Sequence, residues 1–134
     1  MYKETIDQIP FLQKRPDTFY LHYLEKLKPM RFEKDQNLML KDHKPLELFF
    51  LLKGEVQNVQ SGRVFGAGNI IGQDDILFWR KRINTFRATS VCYTMKLDRD
   101  TFEQMCKEFP SIKKELFEEA NFRALVSRYS RDMK

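Results

Sequence analysis

Cysteine is scarce in this 134-residue chain. Cys92 and Cys106 are the only two, they form no CxxC pair, and neither has a histidine beside it. A disulfide framework and a zinc set are therefore not expected, and both thiols are expected to be buried in a reducing compartment. Histidine is equally rare, with His22 and His43 far apart in sequence. Each reads as a packing or surface residue rather than a catalyst. Glycine is sparse and confined: all five (Gly54, Gly62, Gly66, Gly68, Gly72) fall between residues 54 and 72, while proline is absent between Pro45 and Pro110. Tight turns thus concentrate in the middle of the chain, which neither a uniform helical bundle nor a doubly wound sheet would require. No apolar run approaches the roughly 18 residues of a membrane span. The opening Met-Tyr-Lys-Glu-Thr lacks the apolar core of a signal peptide. The expected location is cytoplasmic, with attachment to the cytosolic face of a membrane only through a parent protein or complex.

What is present is enough for a core. Hydrophobic residues make up 42% of the chain, charged residues 32%, and there are twelve Phe, which excludes the disordered and collagen-like classes. The length suits one domain, residues 1–134. A net charge of +5 and a pI near 9.2 permit an anionic partner. The basic residues, however, run from Lys3 to Lys134 among 19 acids, without a clustered basic face or an aromatic-basic motif, so nucleic acid is not the expected partner.

The pattern changes period twice. Residues 1–28 read as helical, with Pro16-Asp17 suiting a helix start and Tyr20, Leu21, Leu24 and Leu27 at helical spacing before Pro29. Residues 29–97 read as short strands punctuated at Asp35-Gln36, Lys53-Gly54, Ser61-Gly62 and Gly66-Ala67-Gly68, the pattern of a compact antiparallel barrel or sandwich. Gln73-Asp74-Asp75-Ile76-Leu77-Phe78-Trp79 interrupts them as a short helix with acids at its start. Residues 98–132 return to helix, with Asp100 in a capping role for Phe102, Met105, Cys106 and Phe109. A second helix opens at Pro110, carrying Ile112, Leu116, Ala120 and Ala124 on one face. The fold class is α+β: an antiparallel β-barrel or jelly roll with N-terminal helices, one embedded helical turn and two C-terminal helices.

Catalytic motifs are absent. There is no GxSxG, HExxH or Walker loop. Gly66-Ala67-Gly68 begins a GxGxxG pattern that Ile71 breaks. The adjacent acids Asp74 and Asp75 point about 100° apart on a helix and do not share a proton. Neither an enzyme nor a metal or cofactor site is expected. The stretch from Gly72 to Ala88 remains: a glycine turn leads into a helix start, with Arg82 nine residues after Gln73, a combination that suits one phosphate.

Residues 10–130 resemble a cyclic-nucleotide-binding domain of the kind found in channels and in kinase regulatory subunits. Phe49-Phe50-Leu51-Leu52-Lys53-Gly54-Glu55-Val56 is similar to the family's aromatic-apolar hairpin with its Gly-x-Val. Ile71-Gly72-Gln73 stands where the family commonly has Phe-Gly-Glu, and Arg82 to Ala88 where it often reads Arg-Thr-Ala-Ser-Val-Arg-Ala. The resemblance implies a phosphate-binding cassette over residues 71–88, in which Gly72 admits the sugar-phosphate, Gln73 faces the ribose hydroxyl and Arg82 pairs with the cyclic phosphate. It also implies that the last helix is a lid, with Arg123, Ala124 or Ser127 over the base. The cassette diverges from that pattern. Gln73 lacks the charge of Glu, weakening that bond by on the order of 1 kcal/mol. Ile83 lacks the hydroxyl of Thr, and Asn84 replaces a small Ala. Asp74 and Asp75 bring carboxylates to positions that are usually apolar or small. Each close carboxylate opposes a phosphate by roughly 1 to 4 kcal/mol at effective dielectric 80 to 20, unless Arg82 or Arg80 pairs with it; the bland alternative places both acids on a solvated helix start.

Two functions follow from these residues. One is a sensor of cAMP or cGMP that relays occupancy through its last helix to a channel or other signalling assembly. The other is a domain of the same fold whose cassette is neutralised internally and whose role is structural or protein-binding. A third, the effector half of a bacterial transcription regulator, is disfavoured because no helix-turn-helix pattern follows residue 130.

Overall fold

The computed structural model describes residues 3–132, with side chains 3–128. Two antiparallel four-stranded sheets form a jelly roll. The strands are β1 (Lys28–Phe32), β2 (Asn37–Met39), β3 (Glu47–Lys53), β4 (Val56–Asn58), β5 (Val64–Phe65), β6 (Ile70–Ile71), β7 (Phe86–Ala88) and β8 (Cys92–Asp98). One sheet has the order β1-β8-β3-β6 and the other β2-β7-β4-β5. The helices are α1 (Lys3–Gln8), α2 (Asp17–Tyr23), α3 (Gln73–Leu77), α4 (Arg99–Glu108) and α5 (Pro110–Asp132), with 3-10 turns at Pro10–Leu12 and Leu24–Lys26.

The unbroken apolar run of β3 has a physical cause. A strand covered on both faces has no reason to alternate with polar residues. Phe49 and Leu51 point between the sheets, where they meet Phe32, Met39, Val56, Ile71 and Ala88. Leu48 and Phe50 point the other way, under a helical layer that contributes Phe11, Phe19, Phe102, Met105, Ile112 and Leu116. The first sheet is thereby held between the second sheet and the helices. Both cysteines are free and buried.

Two local expectations are corrected. Pro29 does not end a helix but lies within β1, where it faces Met95 of β8. That strand is at the edge of its sheet, and a residue without N–H is tolerated there. The cap of α4 is Asp98 rather than Asp100: its carboxylate accepts the Thr101 N–H at 2.8 Å, and Asp100 sits inside the first turn. The last helix runs to Asp132, and its packed face ends at Ala120, with Ala124 exposed.

The N-terminal helices are tied to α4 by one carboxylate. Glu108 accepts a hydrogen bond from the Tyr23 hydroxyl and lies 2.6 Å from His22 Nδ1. These contacts, the tyrosine bond first, hold Glu108 below its ordinary value of 4.5 against a smaller effect of burial. Burial and the same carboxylate push Tyr23 up to about 12. A depressed carboxylate pKa stabilises the fold above the ordinary value and loses that contribution as pH falls through the folded one. Thermal melts from about pH 6 down to 3 should therefore show a shallower acid-side loss in Glu108→Gln than in the parent chain.

Candidate functional site

The cassette begins at a turn that only glycine makes easily. Gly72 has φ +96° and precedes α3 directly. A Cβ there would lie 2.6 Å from Met39 Cε and 3.0 Å from Arg82 Nη1. Backbone strain in the left-handed region, about 1–2 kcal/mol, would add to the displacement of both neighbours. Gly72→Ala should lower unfolding free energy by about 2 kcal/mol or more in denaturant titrations, with the far-ultraviolet spectrum retained.

The two acids at the start of α3 diverge as helix geometry requires. Asp75 turns inward and is buried at 5% exposure, so it does not occupy the solvated helix start of the bland reading. Its Oδ1 accepts from Arg80 Nε at 2.8 Å and its Oδ2 from Arg82 Nη1 at 3.3 Å. Asp74 turns toward α5 and accepts from Arg123 Nη2 at 2.7 Å. Burial raises the Asp74 pKa, and the Arg123 guanidinium partly offsets that rise. Phe78 meets Phe117 edge-on at 5.4 Å beside this pair, completing the contact between cassette and α5.

Arg82 is enclosed. It is 2% exposed, and its Nη1 donates to the Gly72 carbonyl at 2.6 Å. Its Nη2 donates to the Glu47 carbonyl. The Arg82 backbone is fixed as well, its N–H bonded to His43 O at 2.9 Å and its carbonyl accepting from Asp42 N at 2.7 Å. Burial lowers the guanidinium pKa from its ordinary value, and the Asp75 carboxylate opposes that shift. All of these partners belong to the protein, and one of them is a carboxylate where an anionic ligand would supply the charge.

A cavity of about 790 Å³ opens between the cassette, the β4–β5 hairpin and α5. Ile71, Gly72, Gln73, Asp74, Asp75, Ile83 and Asn84 line it, as do Arg123, Ala124 and Ser127 from α5; Arg82 does not. The expected site residues thus come together except for Arg82, the cation expected to pair with the phosphate. Asn84 lies at the wall without filling the space, and Ile83 is half exposed there. Sequence reasoning missed Arg63, Phe65 and Phe86, which also line the cavity. Arg63 lies over the Phe65 ring at 5.0 Å, and the two phenylalanine rings are 5.9 Å apart. No pattern in the sequence marks them; the β4–β5 register, which pairs Val56 with Phe65, brings them to the cavity. The lining holds three cations (Arg63, Arg80, Arg123) against four carboxylates (Asp74, Asp75, Glu115, Glu119), a balance that does not favour an anion.

The family profile described as "Cyclic nucleotide-binding domain" matches residues 29–109, more than half of the chain. The chain belongs to the cyclic nucleotide-binding domain family. Solved structures share the fold. The regulatory subunit of a cAMP-independent protein kinase A from Trypanosoma brucei superposes with TM-score 0.78 at 20% identity over all of this chain and 51% of its own. The cAMP-bound PfPKA-R (141–441) gives TM-score 0.79 at 17% identity over 96% of this chain and 46% of that one. The structure described as "Sp-2Cl-cAMPS bound to PKAR CBD2" gives TM-score 0.79 at 16% identity, covering 97% of this chain and 90% of that one. The chain spans about half the length of the first of these structures. No curated protein matches by sequence. Among the described residues no helix is long and apolar enough to cross a membrane, and no cluster of three or more His, Cys, Asp or Glu could hold a metal.

Proposed function

We propose that this cyclic nucleotide-binding domain is a non-catalytic regulatory module of a cytoplasmic signalling assembly, of kinase-regulatory or channel type, whose cassette is neutralised by its own Asp75. In this reading it does not respond to cAMP or cGMP and acts through protein contacts. One observation carries it: Arg82 is buried against Asp75 and two carbonyls and does not line the cavity. A cyclic phosphate would have to displace a carboxylate that is already desolvated and bonded to two guanidiniums, in a cavity whose acids outnumber its bases. The neighbouring regulatory subunit from Trypanosoma brucei is itself named cAMP-independent, and a triple mutant of it was solved with cAMP in the A site. Loss of response within this fold therefore has a parallel.

The sensor reading rests on the cavity itself. Its volume lies within the roughly 300–1,000 Å³ of small-ligand pockets, and the largely buried Gln73 is part of its wall. Calorimetric titration separates the two. No saturable heat with cAMP or cGMP up to about 1 mM, where binding would be worth no more than about 4 kcal/mol, is the expected result. Saturable binding of either nucleotide by the parent chain would instead establish the sensor.

A further inference from the structure

The second half of α5 carries an apolar face that the domain does not use. From Asn121 to Arg128 every residue is exposed except the half-buried Arg123. Phe122, Leu125 and Val126 are 65%, 59% and 45% exposed. They are spaced by three and four residues and so share a stripe. At about 100° per residue they lie roughly 140° to 240° around the helix from Ala120, the last buried residue of the packed face. The stripe therefore points away from both the cassette and the cavity.

Charges flank this stripe asymmetrically along the helix axis. Glu118 is exposed one turn before Phe122, and Arg128 is exposed just beyond Leu125. The two lie about 15 Å apart along the axis. We propose that this face pairs with the same face of a second copy of the chain, the two α5 helices running antiparallel about a two-fold axis near residue 123. In that arrangement Glu118 of each copy comes opposite Arg128 of the other, and the contact is made twice because the interface is isologous. A parallel pairing would set Glu118 against Glu118 and Arg128 against Arg128, which opposes association. Three apolar side chains per copy among the described residues are fewer than a standard interface supplies, so the dimer forms at roughly 100 μM rather than at nanomolar concentrations. The inference is independent of whether the cavity takes a ligand.

Sedimentation equilibrium of the full chain tests it. The average mass should climb from the 16.2 kDa monomer toward twice that value as concentration rises to about 1 mM. Phe122→Glu should keep the chain monomeric throughout, with an unchanged circular dichroism spectrum because the site is exposed. Glu118→Arg and Arg128→Glu should each weaken association about tenfold. The double variant carrying both should recover it, and mixing the two single variants should give a heterodimer. A parent chain that stays monomeric, which is the outcome if the stripe serves another protein or a lipid surface, overturns the proposal. So does a dimer that survives Phe122→Glu, or a double charge swap that does not recover association.

Discussion

Replacing Arg82 with alanine should destabilise the domain by about 3–5 kcal/mol, the usual consequence of removing one partner from a buried ion pair. Asp75, buried at 5% exposure, would keep only the half-exposed Arg80 as a counter-charge. The carbonyls of Gly72 and Glu47 would lose a donor in a place that water does not reach easily. Those losses compound, because the same guanidinium joins the start of α3 to the beginning of β3. The measurement is a urea or guanidinium titration of the ligand-free chain. The size of the effect separates two roles for the arginine. An arginine held ready for a ligand would have few protein partners, and its removal would change stability by less than about 1 kcal/mol. A large loss without any nucleotide present identifies a structural keystone. Arg82→Lys should recover only part of the loss, since a single ammonium cannot reproduce the planar fork that reaches Asp75, Gly72 and Glu47 together.

Much of this architecture is legible before any coordinates. The strands follow from short apolar runs separated by residues that tolerate left-handed backbone, and the structure places Asp35, Gly54, Gly62 and Gly68 at positive φ in those turns. The cassette follows from the family resemblance that Ile71-Gly72-Gln73 and Arg82 to Ala88 carry. The orientation of individual side chains is another matter. Helical geometry says that Asp74 and Asp75 diverge, but not which of them faces the interior. That depends on where β3 and α5 lie, and both are distant in sequence. The path from α3 to Arg82 also turns on Trp79, a non-glycine residue at φ +52°, and neither periodicity nor propensity announces that reversal. Arg63 was invisible for a similar reason. A single cation just before a two-residue strand carries no pattern, and it joins the cavity wall only because the hairpin folds over the cassette.

Removing the carboxylate instead of the guanidinium should reverse the behaviour of the site. In Asp75→Ala, Arg82 loses its anionic partner while keeping the Gly72 and Glu47 carbonyls, so a buried cation is left to be satisfied from the cavity side. The lining also changes from four carboxylates to three, equal to its cations. A cyclic phosphate entering beside Gly72 would restore the missing charge, and a like-charge repulsion of roughly 1 to 4 kcal/mol would no longer oppose it. Binding of cAMP or cGMP should therefore tighten by about tenfold to several hundredfold relative to the parent chain. Nucleotide should also raise the melting temperature of the variant in a concentration-dependent way, because a ligand that binds only the folded state stabilises it by mass action. Asp75→Asn is the informative companion. Its amide retains one acceptor for Arg82 without charge, so it should fall between the parent and Asp75→Ala in nucleotide affinity and lose less stability. If Asp75→Ala folds and still shows no saturable nucleotide binding, the internal carboxylate is not what closes the cassette. The obstacle would then be the orientation of Arg82 itself, fixed by its two carbonyl bonds rather than by Asp75.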